Sequence, residues 1–217
     1  MKKIYLLMED RYHTRDVILP GMLAAFGEVD LVYSDNPEDI PWDTLQEDAA
    51  LFISQKSEKQ LLPDGSTLYW ITDERAAALD RYVRGGGAAL FIHSGLVGYT
   101  VDSQYYKLPG GLFLQHPPQC SLSFVPIGDH PILEGVEAFT AMDEHYFCQI
   151  DVSSVTPFLW GDCADHAAIV AGWCQEIGDG RTAVLVPGHT LEAATDPNMT
   201  RLARNAAKWV TRGAIDL

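Results

Sequence analysis

Three histidines stand just beyond short apolar runs in widely separated parts of the chain. Arg11, Tyr12 and His13 follow the run 3–8, and His93, Ser94 and Gly95 follow the run 88–92. His189 follows a run ending at Val186, after Pro187 and Gly188. An imidazole titrates near neutrality, so it can act as acid, base or metal ligand. If each run is a strand of one parallel sheet, ligands are expected beyond the carboxyl ends of those strands. The three rings would then meet at a single edge. The segment Asp143-Glu144-His145-Tyr146 adds carboxylates. A carboxylate beside imidazoles can orient a ring, hold a proton or bind a metal. Glu144 is taken for that role, and Asp143 as the solvated start of a strand.

Other chemistry finds less support. Ser94, Glu144 and His189 follow the chain order of an α/β-hydrolase triad, but Phe91-Ile92-His93-Ser94-Gly95 is not the required G-x-S-x-G turn. No Walker A sequence is present, and Gly85-Gly86-Gly87 lies after a helix and before a strand, the wrong order for cradling a phosphate. Cys120, Cys148, Cys163 and Cys174 form no C-x-x-C pair and read as buried or idle thiols of a reducing compartment. His116 and His130 precede prolines, which suits turn-setting, and His166 reads as solvated loop.

The elements that must position these residues follow from hydrophobic pattern. The runs 3–8, 49–53 and 88–92 read as buried strands, and alternation over 28–33 gives another. Residues 16–26 carry Val17, Ile18, Met22, Leu23 and Phe26 at helical spacing and end at Gly27. Thr72-Asp73-Glu74 has the cap and first-turn acids of a second helix. Alternating strands and helices with short connections imply a parallel sheet covered on both faces. Later strands are expected at 121–127, 145–150, 167–176 and 181–186, with Gly178-Asp179-Gly180 as a tight hairpin and a last helix at 198–210. Residues 99–119 read as one long functional loop or lid. No repeat or linker divides residues 1–217, so one domain is expected.

Composition narrows the partners. The 217 residues are 47% hydrophobic and 21% charged, ordinary values for a folded chain of this length. The formal net charge of −15 would repel phosphate backbones, which argues against nucleic acid. No apolar run nears the roughly 18 residues of a membrane helix. The amino-terminal apolar stretch is short and is followed at once by Glu9-Asp10-Arg11, so it reads as a strand of a cytoplasmic protein rather than a signal peptide.

These residues, in this order, resemble the ThuA-like (trehalose utilization) family, whose fold is similar to class I glutamine amidotransferases. The matching pieces are Arg11-Tyr12-His13, Gly85-Gly86-Gly87 leading to His93-Ser94-Gly95, Gly110-Gly111 with Phe113 and His116, and His130-Pro131-Ile132 with Gly135. Asp143-Glu144 with Tyr146, Gly178-Asp179-Gly180-Arg181, Pro187-Gly188-His189 and the helix through Asn205 and Trp209 complete the set. The resemblance implies an α/β fold, a flavodoxin-like three-layer sandwich with a mostly parallel central sheet. It puts His93 where an amidotransferase carries its nucleophilic cysteine, which disfavours glutaminase chemistry. It also implies a role in using trehalose or a related sugar or keto-sugar.

The expectation is therefore an enzyme acting on a small sugar or sugar-derived carbonyl compound. His93 and His189 would form the acid/base or ligand pair with Glu144 as carboxylate partner, while His13, Arg11, Ser94, His116 and Tyr146 line the substrate pocket. In a variant, His13, His93, Glu144 and His189 bind Zn²⁺ or a similar divalent ion. The rival is a non-catalytic module whose acidic surface and tryptophans (Trp42, Trp70, Trp160, Trp173) serve a sugar or a second subunit of a homo-oligomer.

Overall fold

The computed structural model describes residues 2–27 and 30–217, so Met1 and the Glu28-Val29 start of the expected second strand lie outside it. The amino-terminal part runs β1 (Lys3–Met8), α1 (Arg15–Phe26), β2 (Leu31–Ser34), α2 (Leu45–Asp48) and β3 (Ala49–Gln55). A hairpin, β4 (Glu58–Leu61) and β5 (Thr67–Tyr69), precedes α3 (Asp73–Arg84) and β6 (Ala88–Ile92). Then come β7 (Gly111–Gln115), β8 (Cys120–Pro126), β9 (Phe139–Asp143), β10 (Phe147–Ile150), β11 (Thr156–Cys163) and β12 (His166–Ile177). The chain closes with β13 (Gly180–Leu185), α4 (Leu191–Thr195) and α5 (Pro197–Val210).

Nine strands form one sheet in the order β2-β1-β3-β6-β13-β12-β11-β8-β9. The first five are mutually parallel, and the remainder pair antiparallel. The parallel half has the flavodoxin-like order, in which the strands leave β1 and β3 in opposite directions. Right-handed crossovers then put α1 and α3 on opposite faces. Both faces of β6 are covered as a result, and all five of its residues are buried.

Local chemistry fixes the ends of these elements. Thr72 caps α3 by accepting from the Arg75 amide, and Asp196 caps α5 by accepting from Asn198 and Met199. Pro197 suits the first position of α5 because its missing N–H would have no partner there. Gly21 lets α1 approach α4: an added Cβ would lie 2.4 Å from the Ala194 carbonyl oxygen.

The structure corrects the middle of the chain. Residues 99–119 are not one loop: they include β7, which pairs with β10 in a ribbon beside the sheet. The strand expected at 145–150 begins only at Phe147. The hydrophobic pattern marks neither β9 and β11 nor the β4–β5 hairpin. The last helix and the 178–180 hairpin lie where the pattern places them.

Candidate functional site

His13 is held by the loop after β1. Asp10 accepts from the backbone amides of Tyr12 and His13 at 3.0 and 3.1 Å, and from His13 Nδ1 at 2.7 Å. Its other oxygen accepts from the Ser57 amide and hydroxyl beyond β3. Burial alone would raise the Asp10 pKa, but the bonds from His13 and Ser57 hold it well below the usual carboxylate range. Burial pushes the His13 pKa down, against the pull of Asp10. With Nδ1–H committed to Asp10, the lone pair of His13 is on Nε2, which is buried and has no partner.

His93 occupies the turn directly after β6 with φ of 45°, a left-handed conformation that few side chains adopt. The turn is tight because Gly95 lies against β3, where an added Cβ would sit 2.3 Å from the Ser54 carbonyl oxygen. His93 Nδ1 donates to the Val186 carbonyl at 2.8 Å, so Nε2 carries the lone pair. That atom too is buried without a hydrogen bond.

His189 is placed by a buried carboxylate. Asp143, at the end of β9, accepts from the amides of Gly188 at 2.8 Å, His189 at 3.1 Å and Glu144 at 2.8 Å. Burial raises the Asp143 pKa, against His93 and these three amides. Asp143 is fully buried, which overturns its reading as a solvated strand start. From the other side, Gln55 Nε2 donates to the Gly188 carbonyl. The turn that presents His189 is thus clamped at both its amides and its carbonyl.

Glu144 ties the rings together. Its Oε2 lies 3.3 Å from His93 Nε2 and 3.2 Å from His189 Nδ1, near enough for charge pairing though not aligned for hydrogen bonds. Its Oε1 lies 3.5 Å from His116 Nε2. Burial alone would raise the Glu144 pKa, but the His189 and His93 rings hold it well below the usual range. In His189 the cost of burial is outweighed by Glu144, Asp143 and Asp10, so its pKa is raised. His13, His93, Glu144 and His189 each offer one ligand atom, all within 4.8 Å of one another. The rings sit edge to face, with His13 centred 4.9 Å from both His93 and His189.

The arrangement suits a cation. Two rings have their second nitrogen fixed by a carboxylate or carbonyl, the outer support that metal-bound histidines usually have. Glu144 puts a carboxylate oxygen among the ring nitrogens, while Asp10 and Asp143 stand behind His13 and His189. Above it opens a cleft of about 440 Å³ lined by Arg11, Tyr12, His13, Tyr69, Phe113, His116, Glu144 and Tyr146, among others. A larger hollow of about 1040 Å³ lies at the opposite edge of the sheet, by Ile4, Ala49 and Ala88. None of the convergent histidines lines it, so volume alone does not mark the chemistry.

Residues 31–210 match the ThuA family, described as trehalose utilisation. The chain belongs to the ThuA family. Among solved structures it is similar to a ThuA-like protein of Parabacteroides merdae, with a TM-score of 0.76, 13% identity and coverage of 100% of this chain and 92% of that one. A cytoplasmic protein of Salmonella typhimurium gives a TM-score of 0.63 and 12% identity, covering 97% of this chain and 99% of that one. A β-galactosidase of Bacillus circulans gives a TM-score of 0.63 at 10% identity, covering 96% of this chain but 31% of that one. These likenesses concern the fold. No curated protein matches the sequence.

In this ThuA-family chain, His13, His93, Glu144 and His189 come together, with Arg11, His116 and Tyr146 around the cleft. Tyr146 stacks on His93 with centroids 4.1 Å apart. Arg11 lies 3.6 Å from Glu58 and over the Tyr12 ring. Ser94 is the exception: it is fully buried and does not line the cleft, so it packs inside the turn rather than facing a ligand. His130 caps a short turn through the Ile132 amide, and His166 is exposed at the start of β12 rather than in a loop. Asp10 went unread, although its position three residues before His13 was visible. Ser57, Gln55 and the clamping role of Asp143 gave no sequence signal.

Proposed function

We propose that this ThuA-family protein is a metal-dependent enzyme acting on a sugar or a sugar-derived carbonyl compound. One observation carries the reading: ring nitrogens of His13, His93 and His189, buried and without hydrogen-bond partners among the described residues, converge with a Glu144 oxygen within 4.8 Å. Buried polar atoms are rarely left unpartnered without a reason. A cation at that point would satisfy all three. Nitrogen and carboxylate donors in this ratio suit Zn²⁺ or a related divalent ion.

A divalent ion held there would polarise a sugar oxygen or acidify a bound water. The chain's own residues supply the rest. With its pKa held down by the two rings, Glu144 keeps its charge well into the acid range and so favours the cation. Exposed Tyr12 and Tyr69, with Phe113, offer flat apolar faces with polar rims, suited to the C–H face of a sugar ring. His116 stands at the mouth between solvent and Glu144 Oε1, where an imidazole can carry protons to and from the substrate. Arg11 is the cation at hand for an anionic substituent. Four free cysteines and the likeness to a cytoplasmic protein support a cytoplasmic setting.

The test is a screen of sugars and keto-sugars with product analysis, using tag-free protein stripped with chelator and then supplied with Zn²⁺ or Mn²⁺. Metal-dependent turnover is expected, abolished by His93→Ala and by His189→Ala. Equal turnover by both variants on a confirmed substrate would contradict the reading. Binding without conversion by the metal-loaded protein would favour a sugar-binding module instead.

A further inference from the structure

A second cluster stands apart from the cleft, on the antiparallel side of the sheet. Cys120 opens β8, Cys163 closes β11, and His145 follows β9 by two residues. The sheet order β11-β8-β9 makes these three strands neighbours. The ligand atoms of Cys120, His145 and Cys163 lie within 4.8 Å of one another. Neither cysteine is in a disulfide, and both are half-buried and so reachable from solvent.

His145 makes this more than a pair of thiols. The side chain is fully buried. Its Nε2 donates to the Ala167 carbonyl at 2.8 Å, which fixes the tautomer and leaves the lone pair on Nδ1. That Nδ1 is buried with no donor to accept from. A backbone carbonyl holding one nitrogen while the other is free is the outer support of a metal-bound histidine. A tetrahedral zinc site has Zn–S near 2.3 Å and Zn–N near 2.0 Å, so its ligand atoms lie roughly 3.3–3.8 Å apart. Small side-chain rotations would close the observed cluster to that size. His166 can supply a fourth donor: it pairs with Cys163 directly across the β11–β12 hairpin, and its ring is centred 5.7 Å from that of His145.

We propose that Cys120, His145 and Cys163, completed by His166, form a structural site for a thiophilic divalent ion such as Zn²⁺. Two thiolates and imidazole nitrogen are the donors such an ion prefers. The ion would staple β8 and β11 to the segment following β9. His145 lies between Glu144 and Tyr146 in sequence, so the staple also braces the stretch that carries Glu144 into the cleft. This inference stands independently of the reading of the cleft.

Cobalt separates the two sites, because only thiolate ligands give an intense sulfur-to-cobalt charge-transfer band in the near ultraviolet. Tag-free protein, reduced and freed of metal, is titrated with Co²⁺ and then with Zn²⁺. The band is expected to appear, saturate by two equivalents per chain, one for each site, and vanish on Zn²⁺ addition. It should persist in His93→Ala and disappear in the Cys120→Ser, Cys163→Ser double variant. A variant that fails to fold does not spoil the test, since the wild type gives a second readout. Zn²⁺ should protect Cys120 and Cys163 from alkylation, as mapped by peptide mass spectrometry, without changing the labelling of Cys148 and Cys174. Absence of the band in reduced wild-type protein, or unchanged labelling of Cys120 and Cys163 under Zn²⁺, would overturn the site. So would a Cys120–Cys163 pair that forms a disulfide in air and, once reduced to thiols, binds no metal, which would mark a redox pair instead.

Discussion

Replacing Asp143 by asparagine probes the clamp behind His189 at nearly constant volume. Oδ1 receives the amides of Glu144 and His189, and an asparagine oxygen can still accept both. Oδ2 receives the Gly188 amide at 2.8 Å, and there the variant would present an NH₂ group. One hydrogen bond to a charged group is lost, worth about 1.5–3 kcal/mol, and a buried donor is left unsatisfied at a further cost of about 1–3 kcal/mol. The sum, about 2.5–6 kcal/mol, is a large part of the roughly 5–15 kcal/mol that holds a domain together. Urea unfolding should therefore show a lower midpoint with an unchanged slope. Because the displaced turn carries His189, the folded variant should also bind Zn²⁺ about 10–100-fold more weakly, the usual effect of losing a group that supports a ligand. Competition against a chromophoric chelator measures this, with the Cys120→Ser, Cys163→Ser background removing the other site. Asp143→Asn with wild-type stability and affinity would refute the clamp.

Three further outcomes follow from the same geometry. Asp10→Asn should weaken Zn²⁺ binding at the histidine cluster by about 10–100-fold through His13, measured by the same competition. Gly95→Ala should destabilise the fold by about 1–3 kcal/mol or more, seen as a lower melting temperature, because the new Cβ meets backbone that cannot rotate away. Burial raises the Tyr82 phenol to about 12. The unfolded chain releases that proton near pH 10 and the folded chain only near 12, so stability should fall as pH rises between them. The loss approaches about 3 kcal/mol at about 1.4 kcal/mol per unit, and Tyr82→Phe should flatten this part of the pH–stability curve.

The parallel half of the fold was legible because its inner strands β1, β3 and β6 are buried on both faces and read as apolar runs. Ala88–Ile92 is such a run, and its position fixed His93 at the sheet edge. The antiparallel half was harder. Its strands alternate between core and solvent, as in the buried–exposed pattern of Phe139–Asp143, and short alternating stretches resemble loop. Among the described residues β7 pairs only with β10, outside the main sheet, so its outer residues stay exposed and its pattern is weak. Within the site, the side chains that face the cation point come from strand ends and follow the topological rule. Those that hold them in place do not. Asp143 looks like any acidic residue at a strand end until the fold brings the Gly188 and His189 amides against it from 45 and 46 positions further along the chain. The Cys120–His145–Cys163 cluster was hidden for a related reason. Its members are strand neighbours only through pairings of β8 with β9 and β11, and their spacing along the chain matches no metal motif.

The sharpest test of the account is a crystal of the tag-free protein soaked in Zn²⁺, with anomalous diffraction recorded on both sides of the zinc edge. A peak is expected within bonding distance of nitrogens from His13, His93 and His189 and of a Glu144 oxygen. A map at saturating zinc with density elsewhere but none among those four side chains would contradict it.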